Sequence, residues 1–213
     1  MTHSRVLILA AAIAAPILFV AGQALHPALG RDADTAFALM LEHRDQLIVS
    51  RLLTTAGAFL LLPALWLVST LGGRVTRVGG VIAGVGTFFN AVSQVVQGYA
   101  AWAATSPGLD HAATMQILLR VDEGVVGLPV GYWSVPVFGL GLVILGVGLL
   151  VSRSVPWWMP ALLLIGVVAA FFTAGLGPIV AVTQAPLAVA LIALATRAGS
   201  ALAAKPRSGH AVV

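Results

Sequence analysis

The stretch NAVSQVVQ, residues 90–97, sets three carboxamides and a hydroxyl inside a long apolar run. A carboxamide offers two N–H donors and an acceptor oxygen without carrying charge. At helical spacing Asn90, Gln94 and Gln97 share one face, with Ser93 beside them. The same face runs back through Thr87, Gly86 and Ala83 and forward to Ala101, while Val85, Phe88, Val92 and Val95 fall on the other sides. Amide groups facing lipid would go unpaired, so this stripe must meet protein, water or a ligand. Two uses fit it. One is hydrogen bonding between helices, at ~0.6 kcal/mol per bond, with Gly80 and Gly84 supplying a GxxxG packing signature. The other is a polar cavity open to the outside, in which Asn90, Ser93, Gln94 and Gln97 hold a ligand's polar atoms. Counted from Val78 at ~1.5 Å per residue, Asn90 lies about 18 Å up, a little past the midplane of a bilayer.

Ionisable groups cluster at two places. Glu42, His43, Arg44, Asp45 and Arg51 precede one apolar segment; Arg120, Asp122 and Glu123 precede another. They are expected to form a collar over the cavity, with His43 and Arg120 as ligand contacts. Glu123, Asp122 and Glu42 are the candidate catalytic acids or bases. Only Gly, Val, Leu and Pro follow Glu123 for several residues, which would draw these carboxyl groups toward the membrane. Desolvation there keeps a carboxylic acid protonated and able to donate. The plain alternative is a set of solvated loop charges with weak ion pairs.

Other chemistries find little footing. Cysteine is absent, which removes disulfides, thiolate catalysis, Cys-ligated zinc and iron–sulfur clusters. His26, His43 and His111, with Glu42 and Asp110, have no HxxxH or HxxE spacing, and no metal site is expected. No histidine falls inside an apolar segment, as a haem ligand would. No cofactor is expected. GxSxG, P-loop and HExxH motifs are missing.

The elements that must position these residues are dictated by lipid. Of the 213 residues 60% are hydrophobic and 8% charged, and the mean hydropathy is +1.03. A soluble domain carries about 25% charged residues. Six apolar spans can be drawn, at 6–25, 52–71, 78–103, 131–151, 156–176 and 178–197. Each is near the ~20 residues that cross ~30 Å of hydrocarbon, and each must be helical because open strands would leave backbone groups unpaired. The predicted fold is thus all-α: one polytopic domain, residues 1–197, forming a six-transmembrane-helix bundle. The first span has some marks of a signal peptide, but its length, Pro16 and Gln23 favour a retained helix. A tight turn is expected at Gly175-Leu176-Gly177-Pro178, and a disordered cytoplasmic tail at 198–213.

The two long outer loops, ADTAFALMLEHRD from Ala33 and HAATMQILLRVDE from His111, predict two short interfacial helices with Asp34 and Asp110 as N-caps. Their likeness is consistent with a duplicated hairpin or with chance. Six crossings put Arg5, Arg74, Arg77, Arg153, Arg197, Lys205 and Arg207 inside and only Arg31, Arg44, Arg51 and Arg120 outside, in keeping with the positive-inside rule. Both termini are then cytoplasmic. Arginine-rich, alanine-rich composition points to a GC-rich bacterium and its cytoplasmic membrane. The isoelectric point near 10.7 reflects a net charge of only +4, with basic residues scattered singly, so nucleic acid is not an expected partner. Lipid is; a small lipophilic ligand and a homo-oligomer are compatible with the pattern. Trp157 and Trp158 inside, and Tyr99, Trp102, Tyr132 and Trp133 outside, form the aromatic belts.

The HPALGRDAD outer loop, the EHRDQLIVSRLL entry to the second span and the Gly-rich third span resemble a loose group of small bacterial multi-span membrane proteins classed as domains of unknown function. The resemblance implies no activity and no functional residues. Three functions fit the residues: a binding protein with an outward intramembrane pocket, a membrane-embedded enzyme doing acid–base chemistry on an isoprenoid- or quinone-like substrate, and a small transporter.

Overall fold

A computed structural model describes residues 3–29, 33–124, 130–173 and 178–204. Eight helices follow one another: α1 (His3–Leu25), α2 (Ala33–Glu42), α3 (Arg44–Ser69), α4 (Arg74–Ala104), α5 (His111–Glu123), α6 (Trp133–Ser152), α7 (Trp158–Thr173) and α8 (Ile179–Ala204). No strand occurs among the described residues. The fold is an all-helical polytopic membrane bundle. Five helices, α1, α3, α4, α6 and α8, are long and apolar enough to cross a membrane. The sixth expected span is shorter: α7 has 16 residues, about 24 Å at ~1.5 Å per residue. Helices α3 and α4 begin several residues before their apolar segments, because Arg44 to Arg51 and Arg74 to Arg77 continue the helix into the interface where hydropathy no longer marks it. The expected Gly175–Gly177 turn, Arg31, Asp32 and the tail from residue 205 lie outside the described residues.

The six longer apolar helices form a ring in the order α1, α3, α4, α6, α7, α8 and back to α1. Every neighbouring pair is antiparallel. Gly57 of α3 abuts the backbone of Phe19 in α1, Gly80 of α4 abuts Ser69 of α3, and Gly199 of α8 meets Leu9 of α1. The closest seam is between α4 and α6: a β-carbon at Gly141 would collide with the backbone of Ala83, and one at Gly86 with that of Phe138. Small residues permit this approach, and in lipid the resulting van der Waals contact is what holds helices together. The expected Gly80 and Gly84 motif contributes less, since Gly84 faces only the tip of Leu62 at 4.0 Å. The half of the ring nearer His3 and Ala204, here termed inner and the opposite half outer, is filled by an apolar core that includes Leu61, Leu65, Leu142, Leu145, Leu149, Leu163, Leu191 and Leu194. Helix α1 belongs to that core through Ala12 and Ala15.

On the outer side α2 joins α1 to α3 and α5 joins α4 to α6, so two helix–short helix–helix units share one layout. Asp110 caps α5 as expected, its carboxylate accepting from the Ala113 N–H at 3.0 Å. Asp34 does not cap α2; it sits inside the first turn, where a negative charge still suits the helix dipole. Arg44 clasps the outer end of α4: it donates to the carbonyl of Trp102 and to Ser106 Oγ, each at 3.3 Å, and lies 4.6 Å above the Trp102 ring.

Candidate functional site: a carboxamide-lined cavity

The amide-bearing face of α4 turns inward. Ala83, Gly86, Thr87, Asn90, Ser93 and Ala101 are buried, while Val85, Phe88 and Val95 are exposed around the outside of the ring. The outer half of the ring is not filled. A cavity of about 250 Å³ lies there, lined by Gln23 of α1, Asn90 and Gln94 of α4, Phe138 of α6, Phe171 of α7 and Gln184 of α8, among others. Four carboxamides from three helices thus meet in a largely apolar hollow. Among the described residues no charged side chain lines it.

The amides are ordered by one cation. Arg51 Nη1 donates to Gln94 Oε1, and Gln94 Nε2 donates to Asn90 Oδ1 at 3.4 Å. A guanidinium has donors only, so it fixes which end of Gln94 faces it and, through Gln94, which end of Asn90 accepts. Arg51 reaches this position because Gly98 leaves room for its stem; a β-carbon there would lie 2.9 Å from Arg51 Cβ. Opposite, Gln184 is 9% exposed and its Oε1 is buried with no hydrogen-bond partner among the described residues. Two other polar side chains near this level are satisfied locally: Ser50 Oγ donates to the Gly22 carbonyl at 2.8 Å and Thr87 Oγ1 to that of Ala83 at 2.7 Å; Thr55 Oγ1 is buried without a partner among the described residues.

A second cavity, also about 250 Å³, lies toward the outer surface. Gln97, Arg51, Leu47, Met40, Leu118 and Val121 are among its walls, so the apolar sides of α2 and α5 roof it. Arg51 touches both spaces, hydrogen-bonded to a wall of the first and lining the second. His26, just beyond α1, has its pKa lowered to about 4, first by burial and then by the positive charge of Arg51, against a raising bond to the Pro27 carbonyl. It is therefore neutral at pH 7.

The predicted residues separate into groups. Asn90 and Gln94 share the first cavity and Gln97 lies in the second. Ser93 is buried but lines neither. His43 precedes α3 at its N-terminus, and Glu42, Arg120 and Glu123 are exposed; none of the four lines either cavity. Of Asp122 only the helical backbone on α5 is described. Among the described residues no group of three His, Asp or Glu is placed to hold a metal. Sequence reasoning missed Gln184 and the role of Arg51. A lone carboxamide two residues before Pro186, in the apolar first half of α8 with only Thr183 beside it, was the available signal for Gln184.

These features define a class: an all-helical polytopic membrane bundle with a polar pocket set inside its outer half. No family model, no curated protein and no solved structure matches the chain. The resemblance drawn from the outer loop and the entry to α3 therefore rests on those residues alone.

Proposed function

We propose that this protein binds a small or lipophilic ligand in the carboxamide-lined cavity, from the outer side of a bacterial cytoplasmic membrane, with both termini in the cytoplasm. The observation that carries the reading is Gln184 Oε1, a buried acceptor left without a partner at the wall of a hollow that also presents Gln23, Asn90 and Gln94. An unpaired buried acceptor costs about 1–3 kcal/mol, a cost a ligand's donor would offset. The volume supports a small occupant: at ~30 Å³ per water it holds about eight water-sized groups. The enzymatic alternative draws less support, since among the described residues no carboxyl group lines the cavity and Glu42 and Glu123 are exposed. A transport reading is favoured by one feature, the stacking of two cavities with the Arg51–Gln94 pair between them.

The test is thermal unfolding of the purified protein against a panel of uncharged amphiphiles. A compound that raises the melting temperature of the wild type should do so much less in Gln94→Leu. Equal stabilisation of both proteins would remove the pocket from consideration. Uptake of the same compound into proteoliposomes, in proportion to protein, would favour transport over simple binding.

A further inference from the structure

We infer that the ligand is an uncharged amphiphile with a hydroxyl head, and that it enters sideways from the bilayer through the seam between α6 and α7. This rests on the cavity being a binding site.

The head group follows from the polarity of the amides. Arg51 claims the Gln94 oxygen, and the Gln94 amide nitrogen donates to the Asn90 oxygen. Asn90 is thereby turned so that its NH₂, a donor, is free beside the second acceptor site of its oxygen, and it is polarised by the chain of bonds that ends on a cation. Gln184 offers the opposite, a free acceptor oxygen. A hydroxyl accepts from the first and donates to the second. A ketone or ester oxygen would accept from Asn90 but cannot donate to Gln184 Oε1. A carboxylate or phosphate would do the same and would enter a hollow with no charged wall. An alkane would pair with neither.

The route follows from how the seams close. At the cavity's level α4 and α6 touch backbone to backbone at Gly86 and Phe138. Helices α7 and α8 are tied by the Thr173–Thr183 hydroxyl pair at 2.7 Å. Helices α6 and α7 approach more closely toward their inner ends, where Gly146 packs on Leu163 and Leu164. Further out Gly139 faces only Val167, at 3.8 Å from an ideal β-carbon. Val135 on α6 and Phe171 on α7 line the cavity and are nonetheless 45% and 64% exposed on the ring's flank. Val135 and Phe171 are thus a wall one side chain deep between the hollow and the ring's apolar flank, and the route is assigned to this thin place. With room for about eight water-sized groups, the head and upper chain fit inside and a longer chain trails through the seam into lipid.

The experiment uses the full chain in lipid nanodiscs with ¹³C-labelled 1-decanol as probe and n-decane as control, read by NMR exchange. The wild type should bind decanol saturably and decane not at all. Gln184→Leu should weaken decanol binding about tenfold, the equivalent of one lost hydrogen bond to a buried group. Gly139→Phe, which fills the seam, should slow association and release together and change the dissociation constant less than about threefold. Phe171→Ala, on an exposed flank that does not depend on Gly139→Phe folding, should speed both. If decanol and decane bind alike, or Gln184→Leu binds decanol as well as the wild type, the hydroxyl head is overturned while the binding reading stands; if neither compound binds saturably, the cavity reading fails and this inference with it. If binding depends on Gln184 but both seam variants keep wild-type rates, the pocket stands and the lateral route is overturned.

Discussion

Replacing Gln184 by leucine should make the ligand-free protein more stable. Most substitutions in a packed bundle destabilise it, so the sign is informative. Gln184 is 9% exposed, its oxygen has no partner among the described residues, and a small adjacent gap is bordered by Phe19, Leu187, Ala188 and Leu191. An unsatisfied buried oxygen costs about 1–3 kcal/mol. Leucine removes that cost and adds contact with the apolar neighbours, while some of the gain is lost to imperfect fit. A net stabilisation of about 1–2 kcal/mol is expected. For a chain of this size each kcal/mol moves the melting temperature by about 2–4 °C, giving a rise of about 2–8 °C. The assay is intrinsic-fluorescence thermal unfolding in one detergent, wild type and Gln184→Leu side by side, without added ligand. A melting temperature lowered by several degrees would mean that Gln184 holds a structural hydrogen bond, and the argument for an awaiting ligand would collapse.

Gly141→Ala should destabilise the protein by about 1–3 kcal/mol, because the new methyl meets the Ala83 backbone, which cannot rotate away. Gly139→Ala, two residues earlier, should be neutral or stabilising by up to about 1 kcal/mol through helix propensity; thermal unfolding of the pair should show opposite signs. Stability should also fall as pH drops from about 6.5 to about 4. In that window the unfolded chain binds the His26 proton and the folded one, with a pKa of about 4, does not. The loss is at most about 3 kcal/mol, and melting temperatures at pH 7 and pH 4.5 should differ less in His26→Gln than in the wild type. Asp110→Ala removes the side-chain cap on α5 and should cost about 1 kcal/mol locally. Hydrogen exchange at the Ala113 amide should quicken while the long helices keep their protection.

How much of this was legible beforehand varies with the physics involved. The inward turn of α4 could be read from NAVSQVVQ because lipid penalises an unpaired amide, and the small residues Ala83, Gly86 and Ala101 mark the same edge. The capping by Asp110 was visible because capping is local. The break between Gln94 and Gln97 was not, since it depends on Arg51 arriving from another helix to divide one stripe between two cavities. Gln184 escaped notice because a single carboxamide has no periodicity to betray it; only the ring brings it opposite Asn90. The acidic collar drew attention through charge alone, and charge in a loop says little about direction. The roof over Gln97 is made instead by Met40, Leu118 and Val121, the apolar sides of the same short helices.

The missing side chain of Gly98 restricts how far α3 and α4 can slide past each other. The Arg51 stem lies against it, with Cβ, Cγ and Cδ 2.9, 3.0 and 3.7 Å from where a β-carbon would stand. A shift of α4 by one helical turn would bring Gln94 or Trp102 onto that stem, and neither leaves the space that glycine does. The notch therefore works like a key in a lock: α3 and α4 have one permitted height relative to each other, and at that height the guanidinium stands level with Gln94.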